Sequence, residues 1–171
     1  MKSILFFVCL FAIATVHGQA DKSKRPSPPA LEKQTLKTGA KVSIDYSQPS
    51  VKGRTIGKDL EPMAGKVWRT GANEATVFET DKDIKVEGKD LPAGKYGLFS
   101  IVDETGKWTM IFNKTWDQWG AFTYKEADDV LRVEAKHGKA DEFAEKMTFT
   151  ISKDGDVHLL WGDVDVKFKI K

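Results

Sequence analysis

The chain has 171 residues, with 27 basic and 25 acidic side chains, a formal net charge of +2 and a single cysteine. Lysines alternate with Asp and Glu along most of its length, which excludes the clustered basic face of a nucleic-acid binder. With Cys9 the only thiol, intramolecular disulfides and thiolate metal sites are excluded too.

Residues 1–18 read as an export signal: Lys2 precedes an apolar core over 4–13, and Val16, His17 and Gly18 lead to a cut before Gln19. A helix that crosses a bilayer needs about 20 apolar residues. This run is shorter and nothing later is continuously apolar, so no membrane anchor is expected, and the mature chain should be soluble in the periplasm or outside the cell. Cys9 follows bulky Phe6, Phe7 and Val8 rather than the small residues of a lipoprotein cut, so lipid anchoring is not expected.

Residues 19–30 carry Lys22, Lys24, Arg25, Pro26, Ser27, Pro28 and Pro29, have little to bury, and read as a disordered lead-in. Residues 31–171 fit one domain. Within it the apolar period is two: Val42, Ile44 and Tyr46; Trp108, Met110 and Phe112; Met147, Phe149 and Ile151; Val157, Leu159 and Trp161; Val164, Val166, Phe168 and Ile170. Turn chemistry separates the runs at Pro92-Ala93-Gly94, Thr105-Gly106 and Asp154-Gly155.

The expected fold is therefore all-β, an antiparallel two-sheet sandwich or jelly roll of roughly ten short strands, with an open β-barrel as the alternative. One segment departs from that pattern: Ala140, Phe143, Ala144 and Met147 fall at helical spacing and predict a single helical turn. No internal repeat is present. A dimer through the Val164 to Ile170 strand is disfavoured by Lys167, Lys169 and Lys171, which protect an edge, so a monomer is expected.

Four stretches are more specific: YSQPSVKGRTIG at 46–57, GKVWRTGANEATVFETDKDIKVEGKDLPAGKYGLFSI at 65–101, IFNKTWDQWGAF at 111–122 and DVLRV at 129–133. Together they closely resemble a bacterial family catalogued as domain of unknown function 2911, over nearly all of the chain after the lead-in. The resemblance implies an exported, β-rich single domain and carries over no activity, ligand or catalytic residue. The chain departs from it at Glu61-Pro62-Met63-Ala64, where relatives place an aromatic residue and a Tyr-Gly pair before the VWRTGAN motif. If that loop contacts a ligand, the preference differs here.

Three clusters are candidates for chemistry. Arg69, Asn73 and Glu74 surround the turn Thr70-Gly71-Ala72; either Arg69 offers its planar fork to a carboxylate or phosphate, or Arg69 and Glu74 pair with each other or with backbone to pin the turn. Trp116, Asp117, Gln118, Trp119 and Tyr124 break strand alternation after Asn113. An aromatic face flanked by amides and acids holds a sugar ring, while a Trp in a long connection also serves as a plug on the end of a sandwich. The loop over 48–58 projects Lys52 and Arg54, as a basic lid over an anion or as solubilising charge.

Familiar catalytic motifs are missing. Ser100 has no nearby His in sequence, and His137 and His158 lie far apart, so no metal and no cofactor is expected. Glu74 is the best single catalytic candidate, although a neighbouring Arg69 would hold it ionised and unfit as a general acid. Three functions follow: a non-catalytic module of the periplasm or cell surface binding a saccharide or small anionic ligand, a hydrolase acting on envelope polymers, and a structural or protein-interaction domain.

Overall fold

The computed structural model describes residues 21–171. The expected export signal, with Cys9, and the first two residues of the lead-in lie outside the described residues.

The strands run in the order β1 Pro29–Thr35, β2 Lys41–Ser47, β3 Val77–Thr80, β4 Ile84–Val86, β5 Lys89–Leu91, β6 Gly94–Val102, β7 Trp108–Asn113, β8 Asp129–Ile151 and β9 Asp156–Lys169. The fold is all-β and antiparallel, as the period-two pattern predicts. Seven strands form one sheet in the order β1-β2-β3-β6-β7-β8-β9, and β4 and β5 form a small ribbon. That ribbon joins the end of β9 through Lys85 and Lys171, whose backbones exchange two hydrogen bonds.

The large sheet curls into a half-barrel, which brings it closer to the open-barrel alternative than to flat layers. β8 makes the curl. Its first part pairs with β7, Trp108 opposite Ala135, and the remainder pairs with β9, from Lys136 opposite Lys167 to Ile151 opposite Val157. Beyond that pairing, the segment following β2 bonds to β8, Val51 N donating to Glu145 O and Met147 N to Pro49 O, both at 2.9 Å.

β9 also doubles back. It turns at Gly162, whose φ is +57°, and Ile170 N then donates to Gly155 O at 2.8 Å. A Cβ on Gly155 would lie 1.8 Å from Ile170 O at a φ of +84°, so only glycine fits this contact.

Alternate side chains of the curled sheet meet inside it. Ile44, Phe78, Leu98, Met110, Phe112, Phe149 and Leu159 are buried there, each stabilising the fold by roughly 1.5–3 kcal/mol through apolar burial. Trp68 stacks on Trp161 with centroids 5.5 Å apart and meets Trp108 edge-on. β6 and β7 are also covered on their outer face, where Phe99 and Ile111 are buried with Ala75 beneath Tyr124, Val67, Ile101 and Ala121. Burial on both faces lets apolar residues stand at successive positions of these strands, as at Leu98-Phe99 and Met110-Ile111-Phe112.

Two expectations give way. The helical turn over 140–147 is instead part of β8, where the register with β9 shifts between Lys139 and Ala144 and again before Thr148. Irregular pairing inserts unpaired residues and breaks the period of two, so apolar positions drift into a helix-like spacing. The described part of the lead-in is also placed: Lys22–Lys24 form a 3-10 turn capped by Asp21, and Pro29 and Ala30 already belong to β1.

Candidate functional site

The turn after Trp68 is built by its own side chains. Thr70 and Asn73 both take positive φ, +51° and +60°. Thr76 Oγ1 donates to Thr70 O at 2.8 Å, Thr70 Oγ1 to Ser100 Oγ at 3.0 Å and Trp68 Nε1 to Gly71 O at 3.1 Å. Ser100 is thus buried and structural. Gly71 is required by crowding, since a Cβ there would lie 2.8 Å from Thr76 Oγ1.

This turn clamps the connection between β7 and β8. Gly120 N donates to Asn73 O at 3.0 Å and Ala75 N to Gln118 O at 2.9 Å, so Glu74 lies beside Trp119. Gln118 stiffens the connection in turn: its Nε2 donates to Thr115 O at 2.8 Å and its Oε1 accepts from Thr123 Oγ1 at 3.0 Å. The Arg69 cluster and the tryptophan cluster, far apart in sequence, therefore share one edge through Glu74 and Gln118.

A pocket of about 220 Å³ opens at that edge. It is lined by Asp45 and Ser47 of β2, by Glu74 and Ala75, by Trp116, Asp117 and Gln118, and by Lys22 of the lead-in. The carboxylates outnumber the cations, so the pocket repels anions. A larger depression of about 480 Å³ lies across the outer face of β1 and β2, lined by Lys33, Lys41, Glu79 and Asp81 without an aromatic residue; nothing there focuses recognition.

Glu74 is held by the lead-in. Arg25 Nη1 donates to its two carboxylate oxygens at 3.0 and 2.8 Å, and Lys22 Nζ sits 2.9 Å away. Burial acts to raise the Glu74 pKa, but the hydrogen bonds from Arg25 and Lys22 outweigh it and hold the group down at about 2. Asp45, open to solvent on one side, is pushed up by desolvation against the pull of Lys22, with Glu74 adding to the rise.

The remaining candidates are distributed elsewhere. Arg69 does not pair with Glu74, and its Nε is buried without a hydrogen-bond partner among the described residues. Burial lowers its pKa and Glu61 opposes that. Asn73 donates to Ser27 O at 2.9 Å, a structural role. Arg54 is turned onto its own loop, donating to Val51 O at 3.1 Å and Ser50 O at 2.8 Å, and Lys52 N is bonded to Glu145; neither reaches the pocket. Tyr124 donates to Asp129 at 2.8 Å and accepts from Arg132 at 2.8 Å. Burial first, and Asp129 second, push its hydroxyl up to about 12.

Trp119 is not a plug. It is 54% exposed, with Arg25 5.8 Å above its ring. Trp116 is 38% exposed, under Lys95 at 5.4 Å. Reading the sequence left out Asp45, Lys22 and Arg25. Asp45 had only its polar slot in the Val42, Ile44, Tyr46 alternation, and the two cations sat in a segment with no apolar pattern at all. His158 Nδ1 lies 3.0 Å from Asp165, and no cluster among the described residues is arranged to hold a metal ion.

A family model described as a protein of unknown function, DUF2911, matches residues 27–170. The chain belongs to the DUF2911 family. No curated protein and no solved structure matches it. The DUF2911 match takes in Asp45, Glu74, Trp116, Asp117, Gln118 and Trp119, whereas Lys22 and Arg25 precede it.

Proposed function

We propose that this DUF2911 protein is a non-catalytic ligand-binding module of the periplasm or cell surface, and that its ligand is a saccharide. One observation carries the reading: the pocket of about 220 Å³ joins Trp116 to the acceptors Asp45, Glu74 and Asp117 and to Gln118. A sugar ring presents an apolar face to an aromatic side chain and hydroxyl donors to carboxylates. The volume is below the usual range for drug-sized ligands and suits a single ring or chain end. The acidic lining disfavours a small anionic ligand. Export rests on residues 1–18 and is checked by fractionating cells that express the full chain; N-terminal sequencing should begin at Gln19.

A thermal-shift screen of the exported chain against cell-wall saccharides tests the binding. Ligand at a hundredfold its dissociation constant adds about 2.7 kcal/mol of stability, and Trp116→Ala should remove that shift while the protein stays folded. Absence of a shift with every saccharide would overturn the reading.

A hydrolase acting on envelope polymers is the second reading, favoured by two carboxyl groups in one pocket whose pKa values are driven in opposite directions, Asp45 up and Glu74 down. In it Asp45 is the acid and Glu74 the base or nucleophile. Release of reducing ends that disappears in Asp45→Asn would support it; no release from any envelope polymer would end it.

A further inference from the structure

The contacts around Glu74 describe a second kind of recognition, which shares Glu74 and Lys22 with the saccharide pocket and adds Trp119. Arg25 reaches both oxygens of Glu74, at 3.0 and 2.8 Å, and its guanidinium carbon stands 5.8 Å over the ring of Trp119. Both bonds come from the single nitrogen Nη1, so the preference for a planar guanidinium over a compact ammonium rests on the aromatic face below, where the guanidinium stands over the ring. Lys22, three residues earlier, adds a second cation at 2.9 Å and lines the acidic pocket together with Asp45 and Asp117. The surface is complementary to a basic segment over more than one side chain.

The segment that fills it is weakly attached. Its 3-10 turn buries no residue, and beyond the Glu74 pairs it is tied by Asn73 Nδ2 donating to Ser27 O. The Lys22 pair is exposed and screened by salt, while the Arg25 pair is part-buried. Trp119 stays 54% exposed even beneath Arg25. Glu74 and Trp119 lie within the family match over 27–170, and Lys22 and Arg25 lie before it.

We propose that Glu74 and Trp119 form a recognition site for the guanidinium group of an arginine-containing basic peptide segment, and that the chain's own Lys22 and Arg25 fill it as a displaceable plug. An incoming segment exchanges with residues 21–26, its arginine replacing Arg25 on Trp119 and its flanking lysine entering the acidic pocket. The proposal goes beyond the saccharide reading and does not depend on it.

The test uses the full exported chain with Lys22→Ala and Arg25→Ala together, which opens the site by changing two surface side chains. The probe is an acetylated peptide with the sequence of residues 21–28, and a second peptide carries lysine at the Arg25 position; binding is followed by calorimetry at low salt. The opened chain should bind the arginine peptide about tenfold more tightly than the unaltered chain does, because the plug no longer competes. The lysine peptide should bind more weakly than the arginine peptide, and Glu74→Gln or Trp119→Ala in the opened chain should abolish binding with the near-ultraviolet dichroism unchanged. Equal affinity of opened and unaltered chains, or affinity indifferent to Glu74→Gln, would overturn the proposal. Glu74→Gln keeps the side-chain volume, so it decides the matter even if Trp119→Ala does not fold.

Discussion

Five tryptophans divide between two regions of this molecule. Trp68, Trp108 and Trp161 are buried in the half-barrel, two of them stacked 5.5 Å apart. Trp116 and Trp119 stand on the connection between β7 and β8, exposed, each with a cation over its ring. Phase against the sheet separates the two groups. Trp108 and Trp161 keep the period of two in β7 and β9, and Trp68 pairs with Ser100 of β6, so the pleat turns all three inward. Trp116 and Trp119 lie where the alternation has stopped, on a connection pinned by Gln118 and the Asn73 turn. The same side chain serves cohesion in one setting and presents a recognition face in the other.

The largest effect that would break this comparison is on stability. Trp68→Ala should lose about 3–5 kcal/mol, as large aromatic truncations in cores do, whereas Trp119→Ala should stay within about 0.5 kcal/mol, as surface changes do. Urea unfolding of the two variants checks this, and equal losses would contradict the division.

Within the buried group the expectation is sharper. Trp68 Nε1 donates to Gly71 O, while Trp161 Nε1 is buried without a partner among the described residues. Trp68→Phe leaves a buried carbonyl unpaired, at a cost of about 1–3 kcal/mol. Trp161→Phe removes an unpaired donor and should cost less. The same unfolding measurement orders the pair, and the reverse order would show that Trp161 has a bonding partner.

A smaller effect comes from the exposed side. Glu74 has its pKa lowered from 4.5 to about 2 in the folded chain. A depressed carboxyl contributes stability above its unfolded pKa and loses it as pH falls through the folded one, so the window runs from about 4.5 down to about 2. Because Glu74 is partly exposed and its partners are screened, the contribution is modest. Glu74→Gln should flatten the loss of stability across that window, lowering the unfolding midpoint slightly at neutral pH, where the carboxylate contributes in full, and converging with the unaltered chain at the acid end. The smallest expected effect is optical: Trp119→Phe should lower the share of fluorescence quenched by acrylamide, and Trp108→Phe should not.

Much of the fold was legible because the period of two survives wherever pairing is regular. Val42, Ile44 and Tyr46, Met147, Phe149 and Ile151, and Val157, Leu159 and Trp161 are all buried, as alternation requires. It was illegible over 140–147, where shifts in register against β9 move Ala140 and Ala144 out of phase and imitate a helical turn. Length was hidden as well: β8 runs for 23 residues without a turn signal, which made several short strands the natural reading. For the site, residue types pointed to Glu74, Trp116 and Gln118, which do meet. Arg69 and Glu74 are neighbours in sequence, yet the positive φ of Thr70 and Asn73 separates them. That Arg25 reaches Glu74 across 49 positions depends on the path of the chain, which no local pattern encodes.

The most direct test of the binding account is a titration of the exported chain, labelled on tryptophan, with cell-wall saccharides and followed by indole N–H resonances, of which five should be present. A saccharide that binds should move the Trp116 signal most and Trp119 next, leaving Trp68, Trp108 and Trp161 in place. Movement of the buried indoles with Trp116 still, or no movement with any saccharide, would contradict the account.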